Sequence, residues 1–555
     1  MKIFLSLFLN MWMLMFIFII FFYNNMLIII TFMSNNIFSI DLNMSMYLTN
    51  MKMLFIFTVF FISMNVKKFS FMYMGGNNKM NMFFYKFLYL FIFSMIFMIM
   101  NSNIYMFFIG WDGLGITSFF LIFFYLSDSS TSKSMMTNLS NRAGDCFLIC
   151  SMVLLMMNNS NINYFTSGIG FTVILFFIMS SITKSSQFPF ISWLPFAMAA
   201  PTPVSTLVHS STLVTAGVFM LLNLFPESLF QNMFEIPFLN QILLLLSILT
   251  VLISSLFAMC SSDLKKIIAY STMNHLSIMC ILLSLGMNSI CFLHLLVHAF
   301  FKSTMFLSFG IMMIKNYHSL DYRSMLLKNQ YNSISANLMK ISILSLNGLF
   351  LLSGFFSKEK MFHMGYNKTS ILLMMFIFWL IILCSFIYSI QLMLLINNSM
   401  IISNMFFSNL SMNNYFIFIL QSLASIFFGY IFVSKMFYEF FFNNILSKME
   451  LTMILSNIFI SFLLMLLLVK NNIFKKMSIL MNINYLLDFF LMKIVMKTFN
   501  NNKYMYFMEG GMNKKYFEYF LIELKLNKFN TMMMKKKNMN WMILLMNTLI
   551  FIVFI

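Results

Sequence analysis

The sequence predicts an all-α polytopic membrane protein with about 15 to 16 transmembrane helices. Apolar runs recur along the whole of its 555 residues, 61% of the residues are hydrophobic, and only 9% are charged. This is far more apolar sequence than a soluble core requires, and a run of about 20 apolar residues is long enough to cross a bilayer as a helix.

Candidate spans recur from one end of the chain to the other. They lie near residues 3–22, 52–66, 83–100, 104–126, 143–157, 171–188, 205–225, 240–260, 265–286, 288–314, 338–356, 370–396, 413–433, 451–469 and 538–555. The first run has no small-residue cleavage site, so we interpret it as a span and not as a removable signal peptide. The abundance of Phe (75) and Met (62), together with scarce Ala, Gly and Arg, indicates an organelle genome rich in A and T.

The stretch from Ser181 to Gly217 places a lysine and a histidine in otherwise apolar sequence. Its four prolines each remove an amide donor, so they exclude one continuous helix; they are Pro189, Pro195, Pro201 and Pro203. A broken helix in a membrane must face protein or water. Lys184 would cost about 2.5 to 3.5 kcal/mol in hydrocarbon, so we expect it to have a partner or a function.

A carboxylate also falls inside an apolar run, in GWDGLG. Asp112 is flanked by Gly110, Gly113 and Gly115, which allow a neighbouring helix to approach closely. The carboxylate is therefore expected to face protein. A Trp-Asp-Gly turn at the end of a span is the alternative.

The chain has only two arginines, and both lie near acids. Arg142 precedes Asp145 by three residues, a spacing that favours a structural salt bridge on one helical face. Arg323 follows Asp321, and a loop ion pair is expected there. If lysine has replaced arginine wherever a positive charge alone suffices, the two remaining arginines mark positions that need a planar, bidentate guanidinium.

His294, His298 and Lys302 are spaced i, i+4 and i+8, which stacks them on one helical face about 6 Å apart along the axis. A neutral imidazole donates from one nitrogen and accepts at the other, so it can pass a proton on. A zinc pair and core histidines bonded to the backbone are the alternatives. Lys302 lies too far from either end of the span to reach water easily. Its position therefore favours proton transfer along this face of the helix.

Lys358, Glu359 and Lys360 follow another apolar run, in LSGFFSKEKMF. Taken alone, these residues favour a solvated helix end. However, a Ser-Lys step at the end of an apolar half-helix has the same chemistry as Thr183-Lys184. Paired interrupted helices in two halves of a membrane protein indicate a transport site between repeats.

Part of the net charge of +19 is clustered near the end of the sequence. Residues 471–537 hold twelve lysines against four acids. Phe517, Phe520, Leu521 and Leu524 lie on one helical face, which predicts an amphipathic helix along the membrane surface that favours anionic headgroups. A basic, partly disordered connector is the alternative. Neither interpretation requires nucleic acid.

Several motifs together resemble the antiporter-like subunits of respiratory complex I, in the same order. They are GWDGLG, NRAGD, ITKSSQFPFISWLPFAMAAPTPVSTLVHSSTLVTAG, SSDLKKIIAYST, HLLVHAFFKST and SGFFSKE. The resemblance implies two inverted five-helix repeats with broken helices, at 83–225 and 240–395, between N-terminal helices at 1–82 and further helices at 396–470. Residues 471–537 would be a lateral amphipathic helix that braces neighbouring pump subunits, and residues 538–555 its membrane anchor.

The resemblance also implies a site, a function and partners. The implied proton relay consists of Asp112, Lys184, His209, His294, His298, Lys302, Lys358 and Glu359. Asp112 would control the charge of Lys184. No cofactor is expected on this chain, since NADH, FMN, Fe–S clusters and ubiquinone would be bound by other subunits. The expected partners are membrane-arm subunits, anionic lipids such as cardiolipin, and protons, in the mitochondrial inner membrane.

Four positions depart from the pattern of that family. Asp112 stands where Glu is common, His275 where Gln is common, and Gln391 where Arg is common. LSLNGLFLLSGFF lacks a proline, so the second break is expected at Gly348 or Gly354. A sodium or potassium/proton antiporter subunit and a purely structural strut remain the alternative functions.

Overall fold

The computed structural model describes residues 28–32, 36–37, 40–41, 44–75, 79–101, 103–157, 168–224, 237–315, 334–349, 352–368, 371–397 and 412–436. The predicted spans at 3–22, 451–469 and 538–555 lie outside these ranges. So do Arg323 and the basic segment at 471–537.

The described residues are mostly helical. The helices are α1 Asn50–Met74, α2 Lys79–Met100, α3 Ile104–Phe123, α4 Asp128–Met157, α5 Gly168–Lys184, α6 Trp193–Ala197, α7 Thr202–Val208, α8 Leu213–Leu224, α9 Pro237–Cys260, α10 Leu264–Ser284, α11 Asn288–Lys315, α12 Ile334–Asn347, α13 Ser353–Lys368, α14 Ile371–Asn397 and α15 Met412–Met436.

Two short antiparallel strand pairs precede α1. Strand β1 (Ile28–Phe32) pairs with β4 (Met44–Leu48), and β2 (Asn36–Ile37) pairs with β3 (Ile40–Asp41). They lie between the predicted spans at 3–22 and 52–66, in residues for which the sequence analysis predicted no span. Asn, Ser and Asp recur through residues 34–43 and favour turns over a span. The all-α prediction is confirmed for the membrane-spanning part.

Every predicted span from 52–66 to 413–433 overlaps a helix, and seven helices are long and apolar enough to cross a membrane within the described residues. Helix α4 differs most, because it begins at Asp128, well before the predicted start at residue 143. Hydroxyl side chains in its first half bond back to the preceding turn. Ser134 Oγ donates to the Thr131 carbonyl and Thr137 Oγ1 to the Ser134 carbonyl, both at 2.8 Å, so polar sequence here stays helical.

The first predicted break is confirmed. Helix α5 ends at Lys184, the short helices α6 and α7 follow, and α8 begins at Leu213. A further interruption between α7 and α8 has no proline to predict it. There, Thr212 Oγ1 donates to the Leu207 carbonyl at 2.7 Å. The whole stretch from Ala200 to Leu221 is buried, so the interrupted backbone faces protein.

The second break lies at Gly348. Helix α12 ends at Asn347, Gly348 has φ +73°, and α13 begins at Ser353. This left-handed conformation is readily available to glycine only. Gly354 lies inside the first turn of α13, where its missing side chain makes room for the Ser345 carbonyl. Two glycines therefore replace proline in shaping this break.

Helix α11 lies at the centre of the described fold. It packs against α1, α7, α10, α12, α13 and α15. All of its residues from Leu293 to Met313 are buried. Side chains on every face of α11 consequently contact protein, including the polar face that carries His294, His298 and Lys302.

Candidate functional site

Lys184 is completely buried at the end of α5, and its exposed fraction is 0%. Its Nζ atom donates to the Trp111 carbonyl at 3.1 Å and lies 4.8 Å from the centroid of the Trp111 ring. Gly115 leaves space for the ammonium, since a Cβ there would lie 3.6 Å from Nζ. Lys184 therefore has a partner, as expected, and this partner is Trp111, which offers a backbone carbonyl and an aromatic face.

Arg142 bridges the two acids beside Lys184. Its Nη1 atom lies 2.5 Å from Asp112 Oδ1 and 3.2 Å from Asp145 Oδ2. The predicted Arg142–Asp145 pair is confirmed, and Asp112 faces α4 from within α3. One guanidinium nitrogen makes both contacts, which differs from the two-nitrogen fork that the sequence suggested. Asp145 also accepts from Trp111 Nε1 at 2.9 Å.

Trp111 connects these acids to the lysine. Its indole N–H holds Asp145, while its carbonyl accepts from Lys184. The structure pairs Asp112 with Arg142, whereas Asp145 and Lys184 both bond to Trp111. The acid that is linked to Lys184 through Trp111 is thus one that the sequence analysis treated only as a structural salt-bridge partner.

Glycines on two helices hold the end of α5 in place. A Cβ at Gly144 of α4 would collide with Thr183 Oγ1. A Cβ at Gly217 of α8 would lie 2.7 Å from the Ser181 carbonyl oxygen and 3.1 Å from the Ser185 nitrogen. Lys184 is therefore positioned by close backbone packing on both sides.

Gly217→Ala is expected to destabilise the protein by about 1 to 3 kcal/mol, because backbone atoms of α5 must move to admit the methyl group. The amount of assembled protein and its thermal stability on native gels measure the effect. Gly115→Ala is the matched control, since its methyl would meet nothing closer than 3.6 Å. Equal stability of the two variants would contradict the close-packing argument.

His209 lies in the turn after α7 and is fully buried. Its ring centroid is 6.5 Å from that of Trp193, whose Nε1 donates to the Thr183 carbonyl at 2.8 Å. Neither ring nitrogen of His209 makes a well-formed hydrogen bond within the described residues. Buried polar atoms of this kind are commonly satisfied by ordered water. Trp193 contacts both the ring of His209 and the last turn of α5.

The central histidines connect to other helices. His294 Nε2 lies 3.1 Å from His275 Nδ1, and His294 Nδ1 lies 3.0 Å from Ser357 Oγ. On the far side of His275, its Nε2 atom lies 3.1 Å from the Tyr388 hydroxyl. Helices α10, α11, α13 and α14 each contribute one side chain to this chain of hydrogen bonds.

His294, His298 and Lys302 share one face of α11 as predicted, and all three are fully buried. Lys302 Nζ donates to Ser271 Oγ at 2.5 Å. Both nitrogens of His298 lack a hydrogen-bond partner in the described part of the chain. Side chains four residues apart on a helix are separated by about 6 Å along the axis, which exceeds hydrogen-bond distance. The direct hydrogen bonds of His294 and Lys302 are therefore made to side chains on other helices.

Lys358 is buried, with an exposed fraction of 6%, so its interpretation as a solvated helix end is wrong. Its Nζ atom donates to the Asn347 carbonyl at 3.1 Å and to Ser385 Oγ at 3.3 Å. Helix α14, which carries Ser385, covers this side chain. Lys358 also lies inside α13, after the break, and not at the end of the first half-helix. The side chain of Glu359 lies outside the described part of the structure.

Residues 101–384, just over half of the chain, match the transmembrane family of NADH:quinone oxidoreductases and Mrp antiporters. The chain belongs to this family. The family match begins shortly before Asp112 and extends beyond Lys358. It therefore contains every residue that the sequence analysis placed in the relay.

Curated relatives in the family share substantial identity with the chain. NADH-ubiquinone oxidoreductase chain 5 of Artemia franciscana is 41% identical over 254 residues, which are 45% of each chain. The Mytilus edulis protein of the same name is 39% identical over 269 residues, covering 47% of this chain and 46% of that one. The Lumbricus terrestris protein is 34% identical over 329 residues, covering 58% and 56%. The chain spans about half the length of these relatives.

Two solved structures share the fold. A chain of the Mrp complex from a Dietzia species has a TM-score of 0.73 at 19% identity, covering 94% of this chain and 59% of that chain. A chain of an archaeal membrane-bound sulfane sulfur reductase has a TM-score of 0.65 at 18% identity, covering 81% and 90%. At these identities the likeness establishes the family fold only.

Among the residues of the site that had no role predicted from the sequence are Trp111, Ser357 and Tyr388. Trp111 directly precedes Asp112, and Ser357 directly precedes Lys358. Their positions beside ionisable residues were the available signal. Tyr388 had none, because its contact with His275 joins residues 113 positions apart.

Proposed function

We propose that the chain is a proton-translocating membrane subunit of respiratory complex I, of the NADH-ubiquinone oxidoreductase chain 5 type. The observation that carries the proposal is a set of three lysines, Lys184, Lys302 and Lys358, buried among the helices of the family region. In the described part of the chain, each donates to neutral oxygens and none forms an ion pair. A buried cation without a counter-ion is costly, so each lysine is suited to gaining and losing a proton.

The proposed relay begins beside Trp111. Asp112 and Asp145, held by Arg142, set how strongly the ammonium of Lys184 is stabilised, and a change in their pairing releases or recaptures a proton. Water near His209 carries protons towards α11. His294, His298 and Lys302 form the centre of the relay, and Lys358 and Glu359 form its other end.

The energy for transport comes from other subunits in this proposal. In this proposal, those subunits bind NADH, FMN, Fe–S clusters and ubiquinone, and this chain lies in the inner mitochondrial membrane. The two interrupted helices, at 185–192 and 348–352, suit two inverted repeats at 83–225 and 240–395. Residues 471–537 brace the neighbouring antiporter-like subunits and contact anionic lipids such as cardiolipin.

Sodium/proton antiport is the second candidate, because the family includes Mrp antiporters and a chain of an Mrp complex shares the fold. Sodium is bound by oxygen ligands such as carboxylates and carbonyls, as other hard cations are. The described side chains at the centre of the relay are imidazoles, a lysine, a tyrosine and serines. This set favours protons.

Ion flux in sealed membrane vesicles that contain the assembled complex tests the proposal. NADH oxidation is expected to drive acidification at the same rate with and without sodium, and a protonophore is expected to abolish it. A rate that requires sodium, or collapses with a sodium ionophore, would support antiport instead.

Deleting residues from about 475 onward is expected to weaken assembly of the neighbouring pump subunits more than it alters the relay. The deletion removes a basic, surface-lying segment and its anchor while leaving the family region intact. Native gels of solubilised membranes measure the loss of subunits. Full-length Lys302→Ala is the control, with normal assembly expected. Normal assembly of the truncated protein would exclude the brace.

A further inference from the structure

A continuous chain of side-chain hydrogen bonds crosses the protein from α14 to α13. It runs from the Tyr388 hydroxyl to His275, from His275 to His294, and from His294 to Ser357, with heavy-atom distances of 3.1, 3.1 and 3.0 Å. All four side chains are completely buried. Two of its members, Tyr388 and His275, lie on helices that carry no residue of the relay described above.

The donors and acceptors in this chain of hydrogen bonds can be arranged in two self-consistent directions. A neutral imidazole donates from one nitrogen and accepts at the other. Tyr388 can donate to His275 while His275 donates to His294 and His294 to Ser357, or every bond can be reversed. A proton that enters at one end therefore displaces a different proton further along, and each group that passes its proton on returns to its neutral form.

The Tyr388 end of the chain points towards a membrane face. His275 lies eleven residues after the start of α10, which places it about 16 Å from that helix end. Gln391, one turn beyond Tyr388 on α14, donates through Nε2 to the Met259 carbonyl at 3.0 Å. Met259 is the penultimate residue of α9, next to the α9–α10 turn, where the partly exposed Lys266–Asp263 pair lies.

Gln391 also provides a place for water between Tyr388 and that turn. Its Oε1 atom is buried and has no hydrogen-bond partner among the described residues. A buried amide oxygen with unused capacity is a typical partner for an ordered water molecule. One turn of α14 thus separates the hydroxyl of Tyr388 from an amide that can hold water near the turn.

We propose that Tyr388, His275 and Gln391 form a side branch through which protons exchange between His294 and the membrane face that carries the α9–α10 turn. The branch rests on the proposed proton-pumping function. In one transfer, the Tyr388 hydroxyl takes a proton from a hydronium ion, which leaves neutral water, and gives its own proton to His275 Nε2, while the His275 Nδ1 proton moves to His294 Nε2. Tyr388 and His275 end neutral, and His294 ends as an imidazolium that carries the added charge.

Tyr388→Phe in the full complex tests the branch, because it removes only the hydroxyl oxygen. Pumping in vesicles is expected to slow by at least about threefold, a modest share of what a positioned proton-transfer group can contribute. The ratio of rates in H₂O and D₂O is expected to rise, because proton transfer becomes limiting, whereas a purely structural residue would not change this ratio. His275→Leu, which removes the hydrogen bonds to both Tyr388 and His294, is expected to have the same two effects. Tyr85→Phe, another buried hydroxyl on α2, is the control and should match the parent protein.

The outcomes separate the branch from the function on which it rests. Parent-like rates and isotope effects in Tyr388→Phe and His275→Leu, with pumping lost in Lys302→Ala, would overturn the branch and leave the pump in place. Parent-like pumping in Lys302→Ala as well would overturn the proposed function. If His275→Leu failed to assemble, Tyr388→Phe alone would decide, since it removes one oxygen atom and keeps the aromatic ring.

Discussion

Lys184→Met is expected to lower proton pumping per NADH by on the order of tenfold or more, while the complex still assembles. Methionine keeps the apolar stem but cannot carry a proton. Assembly should persist because Lys184 has no ion pair among the described residues, and removing an unpaired buried charge relieves a desolvation cost. Dye quenching in sealed vesicles measures pumping, and native gels measure assembly.

Lys266→Met is the matched control for this change. Lys266 lies at a helix start with 47% of its side chain exposed, and it pairs with Asp263 at 2.6 Å. A surface pair of this kind contributes about 0 to 1 kcal/mol, so pumping and assembly should stay near the parent values. Unchanged pumping per NADH in fully assembled Lys184→Met would exclude Lys184 from the relay.

Lys302→Ala is expected to depress proton translocation to a similar extent at every sodium concentration. Lys302 is fully buried at the centre of α11, and its Nζ atom donates to the hydroxyl of Ser271 at 2.5 Å. Lys302→Arg should not restore full activity, because a guanidinium stays protonated and cannot release its proton in each cycle. Initial rates of acidification at low and high sodium provide the measurement.

The same pair of variants separates three functions. Sodium-dependent transport that survives Lys302→Ala would identify an antiporter, and normal transport in both variants would identify a scaffold. Lys340→Ala, a partly exposed lysine on α12, serves as the control for loss of a positive charge. Its transport rate should equal that of the parent protein.

The sequence predicted the membrane helices well because its apolar runs have the length of a bilayer. Prolines 189, 195, 201 and 203 also predicted the first break correctly, since proline lacks the amide donor that the interior of a helix requires. Glycine is a weaker signal, because it is tolerated inside helices and outside them. The choice between Gly348 and Gly354 therefore depended on backbone conformation, which tertiary packing determines.

The sequence predicted part of the site. The residues that it placed correctly lie close together in the sequence, and the contacts that it missed join residues far apart in the sequence. Helical spacing was enough to place His294, His298 and Lys302 on one face. It gave no information on their partners, since His275 and Ser357 approach His294 from 19 and 63 positions away. The burial of Lys358 was missed for the same reason. Its local sequence is polar, and the helix that covers it begins after the next turn.

Ser357 and Lys358 are consecutive residues of α13 with different attachments. The Ser357 hydroxyl meets His294, while Lys358 Nζ holds the last carbonyl of α12 at Asn347. A rigid rotation or slide of this half-helix displaces both groups together. Movement at the break would accordingly gate two events at once, the loss of a hydrogen-bond terminus for the imidazole and the uncapping of α12. Two consecutive side chains of α13 thus tie this half-helix both to the central imidazole and to the last turn of α12.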